Sequence, residues 1–202
     1  MKKIWAIVVV ACLTLVSPWL VQAEEARREW TVSLSVEAKG GDSKTTEKSK
    51  GGKTTGNWRN RKTTRTTERT TTRNKKWVAH VSCSGKNVPE QAKLKVFFIG
   101  YDDGKLDVLS DKEYSTNLEV GKRSDIDIVS PNAVMVKTTK TTRSRRHGGG
   151  ATSKTTGERI SGCVIQLYVG NEILKTYASQ SSWIEGLHNQ PFDSDRLQKK
   201  GK

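Results

Sequence analysis

The sequence predicts an all-β chain folded as an antiparallel β-sandwich. Short segments alternate apolar and polar residues with period two. Turn signals separate those segments, and no stretch sustains a helical stripe. A closed barrel is the competing architecture.

Each element follows from this pattern. Trp30, Val32, Leu34 and Val36 alternate with Thr31, Ser33 and Ser35. Trp77, Ala79, Val81 and Cys83 alternate with Val78, His80 and Ser82. Leu94, Val96 and Phe98 share one face of a third strand, with Phe97 and Ile99 on the other. Asp102-Asp103-Gly104 is a turn, and residues 106–109 and 126–129 are further short strands. Ser130-Pro131-Asn132 breaks the chain before a strand over 133–136. Residues 163–169 and 173–177 flank Gly170-Asn171-Glu172 as a hairpin. The sequence from Gly186 onward is polar and charged, and residues 186–202 read as a flexible tail.

The N-terminus reads as a secretory leader. Lys2 and Lys3 precede a short apolar run, and Val21-Gln22-Ala23 supplies small residues for cleavage after Ala23. Residues 1–23 are then lost, and residues 24–185 form one domain. A periplasmic or extracellular location follows, with no transmembrane helix retained. A retained anchor and a lipid-attachment site at Cys12 are weaker readings, because the apolar run is short for a span and continues past the cysteine.

The charge is concentrated. The chain carries 36 Lys+Arg against 21 Asp+Glu, and +13 remains without the leader. Residues 39–76 hold +10 and residues 137–159 hold +6, so the remainder is slightly acidic. Two basic, Thr/Lys-rich insertions, 40–74 and 137–159, therefore interrupt a near-neutral body.

In the first insertion, extended backbone places Arg59, Arg61, Arg65, Arg69 and Arg73 on one face. From Arg61 they recur every four residues, about 13 Å at strand rise. This layout suggests a ribbon whose partner is the Lys/Thr stretch from Lys137 to Arg145. The other reading is a pair of solvated linkers, most so over 40–57, where Gly, Lys and Ser resist strand formation. Arg143, Arg145 and Arg146 form a basic loop tip in either case. Trp58 lies inside the basic segment and either stacks on a ligand or caps the edge of the core.

Catalytic constellations are missing. His80, His147 and His188 fall on a strand, in a loop and in the tail, which gives no metal site. His80 and Cys83 point to opposite faces of their strand, against a Cys–His pair. Asp102, Asp103 and Asp107 lack calcium-loop spacing. The expectation is a non-enzymatic module without cofactors.

Guanidinium groups pair with sulfate, phosphate and carboxylate. The expected ligand is an anionic polymer: acidic or sulfated polysaccharide, lipopolysaccharide or extracellular nucleic acid. The alternative is a structural or accessory subunit of an envelope assembly that pairs through sandwich edges with another protein.

Two blocks carry a resemblance. "WVAHVSCSGKNVPEQAKLKVFFIGYDDG" and "GERISGCVIQLYVGNEILKTYASQSSW" resemble the best-marked blocks of a group of uncharacterised secreted proteins of Gram-negative bacteria. Those proteins look like immunoglobulin- or fibronectin-type β-sandwiches. The resemblance implies that fold and supplies no activity, and the basic insertions depart from it. Without them roughly 120 residues remain, the size of an immunoglobulin-like sandwich. In such a domain Cys83 and Cys163, both on apolar faces, would be expected to bridge the two sheets.

Overall fold

The computed structural model describes residues 28–58, 61–144, 148–187, 189–195 and 197. The expected leader, Arg59, Arg145, Arg146, His147 and His188 lie outside them. The chain is an all-β antiparallel sandwich, as its periodicity predicts. Its strands are β1 (Trp30–Gly40), β2 (Ser43–Thr55), β3 (Lys62–Arg73), β4 (Lys76–Gly85) and β5 (Gln91–Asp102). There follow β6 (Lys105–Asn117), β7 (Arg123–Val129), β8 (Ala133–Ser144), β9 (Gly148–Val169) and β10 (Glu172–Ala178). The small sheet has the order β1-β4-β7, and the large one runs β2-β3-β8-β9-β5-β6 with β10 on β9.

The core follows side-chain parity. Val32, Trp77, Ala79, Val81 and Cys83 of the small sheet face Leu94, Val96, Phe98, Cys163, Ile165 and Leu167 of the large one. His80 points the other way and bonds to Asp125 outside the core.

β9 organises the large sheet because it is 22 residues long. Gly148 to Gly157 pair with β8, whereas Glu158 to Tyr168 pair with β5. β10 takes the edge opposite β5, over residues 164–169. Between the partners β8 and β10 this edge of β9 has a gap. Side chains and a turn fill it: Lys75 Nζ donates to the Ser161 carbonyl at 2.8 Å. Ser179 N donates to the Cys163 carbonyl at 2.9 Å, and Cys163 N donates to Ser179 Oγ at 3.0 Å. A buried backbone group without such a partner costs about 1–3 kcal/mol.

Three connections cross between the small sheet and the large one beside this gap. Between β1 and β2 the chain passes through Gly41 and Asp42; between β3 and β4 through Asn74 and Lys75; between β7 and β8 through residues 130–132. Asn74 N donates to the Asp42 carbonyl at 3.1 Å, and Asp42 N donates to Asn74 Oδ1 at 2.7 Å. The approach is so close that a Cβ on Gly41 would lie 2.0 Å from the Asn74 carbonyl oxygen. The buried Ser130 hydroxyl accepts from Lys75 N and donates to the Pro131 carbonyl, each at 2.9 Å.

Residues 40–57 are not a linker. β2 occupies Ser43–Thr55 and pairs with β3 through Lys62–Arg73. Propensity reasoning over Gly, Lys and Ser misses this because ladder hydrogen bonds to β3 supply the order.

The C-terminal segment also departs from expectation. After a 3-10 turn at Ser181–Trp183 it lies across the outer face of the large sheet. Leu187, Phe192 and Leu197 bury against Ile99, Val164 and Trp183. The wholly buried Gln166 fastens it: its amide donates to the Gln190 carbonyl at 2.8 Å and its carbonyl accepts from Phe192 N at 3.0 Å. The expected flexible tail is thus, over its described residues, a strap. Its apolar residues are widely spaced, which hides them in a polar sequence.

The expected Cys83–Cys163 disulfide is corrected: both thiols are free and buried. Both do face the core, but at different heights. Cys163 lies opposite Phe98, whose ring centroid is 6.0 Å from that of Trp77. Cys83 is six residues beyond Trp77 on β4, about 20 Å at strand rise. A bridge needs Cα atoms within about 7 Å. Burial pushes the Cys163 thiol up to about 11.

Two outcomes are expected. Alkylation without reduction should modify both cysteines in denaturant and neither rapidly in the native protein, as read by intact mass. Phe192→Ala should destabilise the domain by about 3 kcal/mol in chemical denaturation, where a frayed tail would give no measurable change.

Candidate anion-binding arm

The two basic insertions fold together. β2 and β3 form one hairpin, and β8 and the first half of β9 form another. β3 and β8 join them in register, with Arg65 opposite Thr141, Arg69 opposite Lys137 and Arg73 opposite Ala133. Lys62 pairs with both Thr55 and Ser144, and Ser144 pairs with Gly148. The described ends of both hairpins, Thr55, Lys62, Ser144 and Gly148, therefore lie side by side at one end of a four-stranded arm. β2 is exposed along its whole length.

Sequence composition explains the ladder. Thr suits extended backbone, and directly opposed Thr pairs contribute a few tenths of a kcal/mol each. Thr45 and Thr71 hydroxyls lie 3.4 Å apart across β2 and β3. Two arginines reach across to serines: Arg65 Nε donates to Ser49 Oγ at 2.8 Å and Arg73 Nε to Ser43 Oγ at 3.2 Å. These bonds orient the guanidiniums and leave their terminal nitrogens for other acceptors.

Opposed residues share a face, so register sorts the charges. One face carries Arg65, Arg69, Arg73, Lys137 and Arg143, with Glu47 opposite Arg69. Gly149, Ala151, Ser153 and Thr155 continue it on β9 as a low floor. Arg65, Arg69, Arg73 and Arg143 are all exposed. The other face carries Lys44, Lys48, Lys50, Lys53, Lys62, Lys140 and Lys154, with Glu68. Reasoning on β3 alone finds the arginine face and misses the lysine face, because the lysines come from its neighbours. The recurring K/R-T-T triplet, which begins at Lys44, Lys53, Lys62, Lys137, Lys140 and Lys154, was the signal available for it.

Arg61 and Trp58 lie by the turn joining β2 to β3, and Trp58 is 71 % exposed. That position rules out Trp58 as a cap on the core edge. The predicted Arg61, Arg65, Arg69, Arg73, Arg143 and Trp58 thus belong to one element. Arg59, Arg145 and Arg146 flank its turns in sequence but are outside the described residues.

At its base the arginine face runs into the sandwich. Thr71 and Ala133 are buried there, and Ala133 joins the main core. A hollow of about 440 Å³ opens beside them, lined among others by Arg73, Asn74, Lys75, Glu158, Arg159 and Gln180. Burial, and next the charge of Arg159, lower the Lys75 pKa from its ordinary value.

A separate polar cluster sits on the outer face of the small sheet. His80 Nδ1 is 2.7 Å from Asp125 Oδ1, and Arg123 Nε donates to the same oxygen at 2.7 Å. Asp125 is therefore a paired charge on this face. Arg123 first, and His80 next, hold its pKa at about 2. The shift is downward from the ordinary 3.8, so its stabilising contribution is complete above that value and is lost as pH falls through about 2. Among the described residues the imidazole meets Asp125 and Arg123, with Glu37 3.8 Å away, and these contacts order side chains across β1, β4 and β7. A carboxyl carbon NMR titration should give Asp125 a midpoint near 2, and Arg123→Gln should raise it.

Comparison with known proteins adds no functional assignment. No family model matches the chain, and no curated protein matches it. Among solved structures, a crystal structure of a protein from Akkermansia muciniphila shares 12% sequence identity, with 82% of this chain and 80% of that chain covered and a TM-score of 0.32.

Proposed function

We propose that this chain is an exported, non-enzymatic binding module for anionic polymers, with the four-stranded arm as its binding element. The body is an immunoglobulin-like sandwich in this reading. Support comes from the strand order: β1-β4-β7 faces β6-β5-β9-β10 once the arm is set aside, the two-sheet division of such domains.

The observation that carries the functional reading is the register of β2, β3, β8 and β9. It gathers nearly all the excess charge of the chain onto one thin element, with four arginines and Lys137 on one side and only lysines as cations on the other. Few carboxylates neutralise it: Glu68 lies 3.7 Å from Lys50, an exposed pair worth little. A polymer with repeated sulfate, phosphate or carboxylate groups would release counterions from such a surface and match the arginine forks two oxygens at a time. Thr hydroxyls beside each arginine supply further donors.

The accessory-subunit reading is the weaker one. The arm's open edge, β2, carries Lys44, Lys48, Lys50 and Lys53 and a register shift between Lys50 and Lys53. Lysines and bulges are devices that keep an edge from pairing with another chain.

Heparin chromatography tests the proposal. The wild type should elute well above the salt expected for its net charge. Arg65→Gln/Arg69→Gln/Arg143→Gln should elute earlier, with the salt dependence of binding falling by about one ion for each arginine replaced. The matching Arg→Lys triple should recover only part of the retention, because lysine keeps the charge and loses the fork. Wild-type elution no later than that of a protein of equal charge would overturn the reading.

A further inference from the structure

The hollow at the base of the arm has a chemistry different from the arm itself. Arg73, Lys75 and Arg159 all line it. None of the three is in an ion pair among the described residues. Lys75 spends one N–H on the Ser161 carbonyl, and Arg73 spends its Nε–H on Ser43. Their remaining donors are left for another acceptor. Three cations around one recess, against the single carboxylate of Glu158, favour an anion between them, and burial first, with the charge of Arg159 next, lowers the Lys75 pKa from its ordinary value.

The hollow does not end there. A second, of about 460 Å³, shares Met135 and Arg159 with it and adds Tyr101 and Asp103. Tyr101 is 39% exposed, and the Arg159 guanidinium carbon lies 5.7 Å from its ring centroid. Arg159 thus stands between a charged recess and an aromatic shelf. Glu158 and Asp103 put a carboxylate on each side of it. Asp103 Oδ1 already accepts from Gly157 N at 3.0 Å, which leaves its second oxygen.

We propose that the joined hollows bind one residue of an acidic saccharide, its sulfate or carboxylate between Arg73, Lys75 and Arg159 and its ring against Tyr101. The two carboxylates decide between ligand classes. A polynucleotide backbone offers at most one free hydroxyl beside each phosphate, so Glu158 and Asp103 would find few donors there. A sugar residue with one anion and several hydroxyls donates to them. The inference rests on the polyanion reading for the kind of polymer, but, apart from Arg73 at the arm's base, on residues outside the arm.

Amide NMR titration of the whole chain tests it, with glucose 6-sulfate, glucuronate, inorganic sulfate and glucose as probes. Saturable shifts are expected at Tyr101, Gly157, Arg159 and Gln180 with one or both acidic sugars, and the tighter of the two identifies the anion. Inorganic sulfate should bind at least about tenfold more weakly, and glucose not measurably. Arg159→Gln should weaken binding by about tenfold, the scale of one charge-assisted pair. Tyr101→Ala should weaken the sugar and leave inorganic sulfate unchanged. Arg123→Gln, on the outer face of the small sheet, should change neither. Inorganic sulfate binding as tightly as both sugars, shifts spread along the arm, or no saturation would each overturn the inference. Loss of heparin retention with an intact sugar titration would instead defeat the arm and spare this site.

Discussion

Everything in this molecule depends on how three chain crossings share one place. β1, β4 and β7 belong to the small sheet, yet their chain neighbours β2, β3 and β8 belong to the large one. Each crossing strips backbone groups of ladder partners, and those groups must be satisfied locally. Asp42, Asn74, Lys75 and Ser130 do this for one another. Gly41 lets the first two strands of crossing chain touch. The same congestion leaves the gap in the β9 edge, and that gap draws in the Lys75 amine. The arm's position, its inward-running arginine face and the cationic recess are all products of this one knot.

The two parts of the chain are held by different forces. The body buries aromatic and aliphatic side chains on both faces of its large sheet, against the small sheet on one and the C-terminal strap on the other. At roughly 25 cal/mol per Å² of apolar surface, such burial dominates folding. The arm has almost none of it. Threonine, lysine and arginine cover both sides, so the ladder and its attachment to β9 sustain it. Its surface is free to be chosen for charge because no core constrains it.

Much of this was legible in the sequence, for identifiable reasons. Parity along Trp77, Ala79, Val81 and Cys83 gave the buried face of β4, and the arginine spacing gave one face of β3. The pairing of the Thr/Arg stretch with the segment after Lys137 was legible too, because both lead into apolar strands. Parity says nothing about height, so two inward cysteines could be placed on facing sheets but not at their distance. A strap held by Leu187, Phe192, Leu197 and the buried Gln166 has no period to detect. β2 was hidden because its order comes from β3 and not from its own side chains. The lysine face was hidden for the same reason: it exists only once four strands are aligned.

The K/R-T-T repeat has a consequence for how the arm finds its shape. In most sheets a wrong alignment drives apolar residues into water, and that cost selects a single pairing. Here a shift by two or four residues moves threonine, lysine and arginine past one another along the arm, with little change in what is buried. Alignment must be dictated from the ends: the Asp42–Asn74 contact at one, the departure of β9 from the sandwich for the other hairpin. The arm is therefore anchored like a zip from its closed end. Its length is a nearly free variable, open to gain or loss of paired residues while the domain beneath it stays as it is.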